Sequence, residues 1–350
     1  MGIVVRTPNR VDLAGGTLDI YPLYLFEGGS VTVNIAIQLW STTTIEKQRD
    51  LKIHLKSDDL KKEILFESFE ACHVNNELDL LCRAVLYYAP KQGFKMTTKN
   101  EAPHGSGLGA SSALLMAVSA GLNELGKSGL SIAEIIDVGS SLEAQTIRIP
   151  TGKQDYLAAM HGGINAFRFS EAGITRHKID YSRKEIEALE SRMILSYTGI
   201  PHFSGENNWT IMRRYIDGES STVSALRNIK GTALKMRDAV IKRDWDAIAE
   251  LLKEEWENRK ALAVGVTTPV VEHLMAKAKE AGAKASKLCG AGGGGCMITW
   301  VDPDKKERVS KVLAKEGASL LPFKVSEEGL QIQSDRSSKK ISLSKKTLKS

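Results

Sequence analysis

The alternation of apolar and polar positions predicts strands and helices in an irregular order, with no steady βαβ repeat. Short β-rich runs fall at Ile3–Val5, Ser30–Ile37, Trp40–Glu46 and Leu51–Leu55. Across 77–88, apolar residues recur at Leu78, Leu81, Cys82 and Val85, the spacing of one helical face. Phe94–Thr98 reads as a strand, and ASSALLMAVSAGLNELG (110–126) as a helix with Gly126 as its stop signal. A further helix over 131–148 ends before Pro150, because the residue preceding proline is pushed out of the helical region. Asn165–Phe169 is strand-like, and the charged stretch 178–190 leads to the apolar strand Met193–Tyr197. Helices follow at 222–241, 246–261 and 269–282, then strands at Ala285–Leu288 and Cys296–Val301 around a glycine turn, a helix near 305–316 and a strand at Phe323–Val325. The expected fold class is α+β in two domains, 1–190 and 191–334, with 335–350 as a tail.

Composition changes this picture little. A length of 350 residues suits about two domains, and 42% hydrophobic with 26% charged residues is ordinary for a globular chain. The opening MGIVVRTPNR has no cationic segment followed by an apolar stretch, and no run of 18 apolar residues occurs, so a cytoplasmic location without membrane partners is expected. Residues 335–350 carry six positive charges and one negative, which leaves the body nearly neutral despite a net charge of +6. The tail reads as solvated and disordered, and the body is not a basic nucleic-acid reader. Cys72, Cys82, Cys289 and Cys296 lack metal-ligand spacing and read as reduced core thiols.

Candidate chemistry concentrates in two glycine-rich segments. PHGSGLGASSALL (103–115) places a turn directly before a helix, where unpaired backbone N–H groups and the positive helix end suit phosphate. A purely structural turn fits the same spacing. The segment is no Walker A loop, since no Lys follows Gly109, and no acidic residue stands where a dinucleotide fingerprint needs one. In KLCGAGGGGCMITW (287–300), four consecutive glycines between β-rich runs point either to closure against a ligand or to a tight bulge. Glu143 and Asp155 form an acidic pair able to serve Mg²⁺ and a base, or a solvated helix face and a helix cap.

Together, PNRVDLAGGTLD (8–19), PHGSGLGASSA (103–113) and CGAGGGGCM (289–297) resemble, in order and separation, motifs 1, 2 and 3 of the GHMP kinases. The resemblance spans most of the chain. It implies a ribosomal-protein-S5-like N-terminal domain, a ferredoxin-like C-terminal domain and ATP in the cleft between them. It assigns the nucleotide to Gly105, Ser106, Gly107, Leu108, Gly109, Ala110, Ser111 and Ser112, and Mg²⁺ to Ser112 and Glu143. Asp155, in the Gly152–Asp155 context of the sugar-kinase branch, would orient or deprotonate the acceptor hydroxyl beside Arg10. Asp19 would face the sugar, and Lys153 would be a second cation near sugar or phosphate. Where galactokinase-like sequences read GEHTDY, this chain reads GGTLDI (15–20), so Gly16 replaces the glutamate and galactose itself is disfavoured.

RVDLAGG followed by Asp19, YTG (197–199) followed by FSGEN (203–207), and PTGKQD (150–155) look similar to the heptose and L-fucose kinase branch, whose members phosphorylate an anomeric hydroxyl. The expected activity is ATP-dependent conversion of D-glycero-D-manno-heptose 7-phosphate to the 1,7-bisphosphate. Alternatives are another free sugar such as L-fucose, a different GHMP acceptor such as mevalonate, or noncatalytic nucleotide binding. The expected partners are a small sugar or sugar phosphate and no nucleic acid; the sequence fixes no oligomeric state.

Overall fold

Two long antiparallel strands, β1 (Gly2–Ala14) and β2 (Ser30–Lys47), organise the computed structural model, which describes residues 2–201 and 204–334. The apolar pattern predicts two strands where β2 runs as one. The apparent break is exposed Gln38, where the register with β1 shifts between Pro8 and Asn9. Residues 30–37 of β2 are buried on both faces, whereas burial alternates beyond that point. β3 (Ile53–Ser57), β4 (Lys62–Phe66) and β5 (Phe94–Asn100) extend one side of the sheet, in the order β1-β2-β5-β3-β4. The hairpin β6 (Ile164–Ser170) and β7 (Gly173–Ile179) pairs with the first half of β2.

Five helices accompany this sheet: α1 (Leu23–Phe26), α2 (Asp79–Tyr88), α3 (Ala110–Gly126), α4 (Ile132–Ile147) and α5 (Gln154–His161). α3 is apolar nearly all round because it lies between β1 and β2 on one side and α2 and α4 on the other. α4 starts on a capping box in which Ser131 and Glu134 satisfy each other's backbone N–H.

The second sheet contains β8 (Met193–Tyr197), β9 (Ala285–Leu288), β10 (Cys296–Trp300) and β11 (Ser319–Leu321), ordered β11-β8-β10-β9 and antiparallel throughout. Numbered within that unit, the order is 4-1-3-2, as a ferredoxin-like sheet requires. Its helices are α6 (Arg183–Glu190), α7 (Ser204–Ile216), α8 (Ser220–Lys242), α9 (Trp245–Lys260), α10 (Pro269–Glu280) and α11 (Lys306–Lys315).

The division at residue 190 needs a correction at its far end. Strand β12 (Gln331–Ser334) returns to pair antiparallel with β1, so the end of the expected second domain completes the first sheet. The strand expected at Phe323–Val325 is reduced to one bridge, Val325 to Ile37, on this return path. The outgoing and returning chains meet at Glu190, whose carboxylate accepts from Lys324 Nζ at 2.5 Å and from Val325 N at 2.9 Å. The lobes also share a core: Val11, Leu13 and Ile35 cluster with Leu195, Met236 and Trp300. Among the described residues no helix is long and apolar enough to cross a membrane. The basic tail 335–350 lies outside the described residues.

Candidate active site

Alternation along β1 sets the site. Val11 and Leu13 enter the shared core, so Arg10 and Asp12 point to the opposite face. Arg10 reaches two groups there: Nε donates to Asp155 Oδ1 at 2.6 Å, and Nη1 donates to the Gly107 carbonyl at 2.6 Å. Burial alone would lower the Arg10 pKa; the carboxylates of Asp155 and Asp12 outweigh it and raise it, so the guanidinium is a fixed charge.

The loop 103–109 closes against the other two motif regions. Arg10 N donates to Leu108 O at 3.0 Å, and Cys296 N donates to Ser106 O at 2.7 Å. Gly107 and Gly109 both have positive φ, and both lack room for a side chain. A Cβ at Gly107 would collide with the Cys289 carbonyl, and one at Gly109 would lie 2.9 Å from Asp155 Cγ. Gly109 opens α3 with no side chain capping it, so the first N–H groups of α3 face outward as anion donors.

Glu143 on α4 is buried, and its carboxylate accepts from Ser112 Oγ at 2.7 Å and from Tyr156 Oη. Burial raises its pKa against these hydroxyl bonds. Among the described residues no cation is paired with it. A buried carboxylate with only hydroxyl partners, beside a serine at a helix start, is a donor set that fits a hard divalent cation.

Asp19 is buried at the other end, where Gln154 N donates to its Oδ2 at 3.0 Å. A Cβ at Gly152 would collide with this carboxylate, which explains glycine there. Burial, then the charge of Asp155, pushes the Asp19 pKa up to about 6. Folding thus favours the neutral form relative to the unfolded chain, while above about pH 6 the carboxylate is charged. This contribution to stability is fully present below the ordinary value of 3.8 and is lost as pH rises through about 6. If charged Asp19 binds the acceptor, kcat/KM for that acceptor falls as pH drops below about 6. A pH–rate profile flat down to pH ~5 would rule out that role.

Arg10, Asp19, Gly105, Ser106, Gly107, Gly109, Ala110, Ser111, Ser112, Glu143 and Asp155 all line one cleft of about 890 Å³. Leu108 is buried beneath it. Lys153 is placed elsewhere: its Nζ pairs with Asp137 at 2.6 Å, and it does not line the cleft. His104 lines the cleft, whereas His161 packs near Phe167, with its pKa lowered to about 4 by burial and then by Arg176. His202 and Phe203 lie outside the described residues.

The sequence reading missed a charge cluster behind the cleft. Lys287 Nζ, fully buried, lies 2.6 Å from Asp12 Oδ2 and donates to the Asp12 carbonyl at 2.9 Å. Asp12 Oδ1 accepts from Gly290 N at 2.9 Å. Arg259 pairs with Glu255 at 2.5 Å and donates to Gly16 O at 3.0 Å. Burial would raise the Asp12 pKa, but Lys287, Arg10 and Arg259 hold it well below the carboxylate range. The available signal was Lys287 itself, the one charged residue between 285 and 301.

An uncapped glycine loop, a buried carboxylate–serine pair and an Arg–Asp pair in one cleft define a phosphoryl-transfer enzyme. Comparison with known proteins agrees. Residues 75–163 match the GHMP kinases N terminal domain and 236–319 the GHMP kinases C terminal family. The chain is 30% identical to D-glycero-alpha-D-manno-heptose 7-phosphate kinase of Campylobacter jejuni, covering 94% of this chain and 98% of that one. Mevalonate kinase of Pyrococcus furiosus is 27% identical over 95% and 99% of the two chains. The crystal structure of a D-glycero-D-manno-heptose 1-phosphate kinase from Bacteroides thetaiotaomicron superposes with a TM-score of 0.78 at 26% identity, covering 95% and 99%. The chain belongs to the GHMP kinase family and is an ATP-dependent phosphotransferase.

Proposed function

We propose that this kinase phosphorylates the anomeric hydroxyl of D-glycero-D-manno-heptose 7-phosphate, using MgATP. The observation that carries the reading is the 2.6 Å Arg10–Asp155 pair, set between the glycine loop and Asp19. In this reading the N–H groups over 105–112 bind the nucleotide phosphates, and Ser112 with Glu143 holds Mg²⁺. Bound Mg²⁺ supplies neutralising charge at those phosphates.

Asp155 accepts a hydrogen bond from the acceptor hydroxyl and orients it. Because a sugar hydroxyl is a far weaker acid than a carboxylic acid, the proton moves to Asp155 only as the new O–P bond forms and the bond to the departing ADP breaks. Arg10 fixes the rotamer of Asp155 and adds positive charge near the transferring group. Charged Asp19 accepts from a second point on the sugar.

One observation favours a free sugar, such as L-fucose, as a second reading. Among the described residues Arg10 is the one Arg or Lys lining the cleft, and it is already paired with Asp155. An acceptor phosphate needs another cation.

The test is incubation with MgATP and, separately, heptose 7-phosphate, L-fucose and mevalonate, with products read by ³¹P NMR. A 1,7-bisphosphate is the expected product. L-fucose 1-phosphate alone would move the assignment to the second reading. Transfer to mevalonate alone, or to none of the three, would overturn the sugar-kinase reading.

A further inference from the structure

One buried polar group in the cleft that the reading above leaves without a task is the side chain of Gln154. It is only 5% exposed and lines the cleft, yet its Oε1 has no hydrogen-bond partner. Oε1 is itself closed off from the cleft as placed, so a ligand must turn the amide to reach it. A buried amide left unpaired beside a cleft carries a desolvation cost that an arriving donor, a ligand hydroxyl, relieves.

Its placement says where that donor would be. The backbone N of Gln154 holds Asp19, the next residue is Asp155, and the amide lies over the turn at Gly16. A Cβ at Gly16 would sit 3.1 Å from Gln154 Nε2, so the missing side chain at position 16 leaves the amide its space. Asp19, Gln154 and Asp155 together line the cleft, a wall of two carboxylate acceptors and one amide. A polyhydroxyl compound supplies donors to such a wall, and a carboxylate-bearing acceptor would be repelled by it.

We infer that Gln154 is a specificity-determining residue whose amide binds a further hydroxyl of the sugar, beyond those held by Asp155 and Asp19. The inference rests on the sugar-kinase reading.

The test uses Gln154→Met, close in shape and unable to form the bond, with whichever sugar the wild-type enzyme turns over fastest. The KM for the sugar should rise roughly ten-fold or more, the loss of one hydrogen bond to a buried group, with the KM for ATP unchanged. The melting temperature should hold, because the substitution removes an unsatisfied polar atom and breaks no bond within the chain. Among monodeoxy analogues of that sugar, one should be penalised with the wild type and no longer penalised with Gln154→Met. An unchanged KM for the sugar would overturn the inference alone. So would a fall in melting temperature accompanied by parallel changes in both KM values, which marks a structural role. A wild-type enzyme that phosphorylates no sugar would overturn this inference together with the reading beneath it.

Discussion

Asp155→Asn lowers turnover by roughly two to four orders of magnitude while leaving ATP binding nearly intact. The amide keeps the shape of the carboxylate but cannot take up the acceptor proton, and it no longer balances the Arg10 guanidinium. The loop itself should stay in place, because Arg10 Nη1 still donates to the Gly107 carbonyl and Arg10 N to Leu108 O. Single-turnover kinetics with saturating sugar, beside a calorimetric titration with nucleotide, separates the two effects. A folded variant with near-normal turnover would remove Asp155 from the base role.

Lys287→Met has the largest expected effect on stability. It leaves Asp12 fully buried at the junction of the lobes with its main counter-charge gone; Arg10 Nη1, 3.7 Å away, is a weaker partner. Breaking one side of a buried pair costs about 3–5 kcal/mol, whereas replacing both sides by uncharged groups costs far less. Denaturant melts of Lys287→Met and of the double variant with Asp12→Asn measure both numbers. A loss below about 1 kcal/mol in the single variant, or no recovery in the double, would show that the pair does not hold the junction.

Arg10, Asp19, Ser112, Glu143 and Asp155 were legible through the family motifs, and the loop was legible from the chain alone where glycine is forced by close approach. Gly107 and Gly109 mark the places where Cys289 and Asp155 come closest to the loop, so the constraint is written into the chain as a spacing. Lys153 shows the limit of that logic. It is two residues from Asp155 but precedes the first turn of α5, and positions two apart on a helix point to different sides. The Asp12–Lys287 pair joins residues 275 positions apart, and no local pattern encodes such a partner. Among the strands, β7 escaped because it is exposed at nearly every position, and β12 because QIQS has one apolar residue. Both gain their order from pairing with a neighbour already in place, a tertiary effect that apolar periodicity cannot report.

The return of β12 to β1 bears on how such enzymes can be recombined. The two family matches, 75–163 and 236–319, suggest cassettes that could be exchanged between relatives. The chain is not built that way. A splice at residue 190 would import a foreign β12 along with the new second lobe, and that strand would have to register against a first strand it was not selected to meet. It would also import a new partner for Asp12 and half of a core whose other half stays behind. The unit that can be transplanted intact is therefore the whole of 2–334, because any cut at the second lobe also separates Asp12 from Lys287 and divides the shared core.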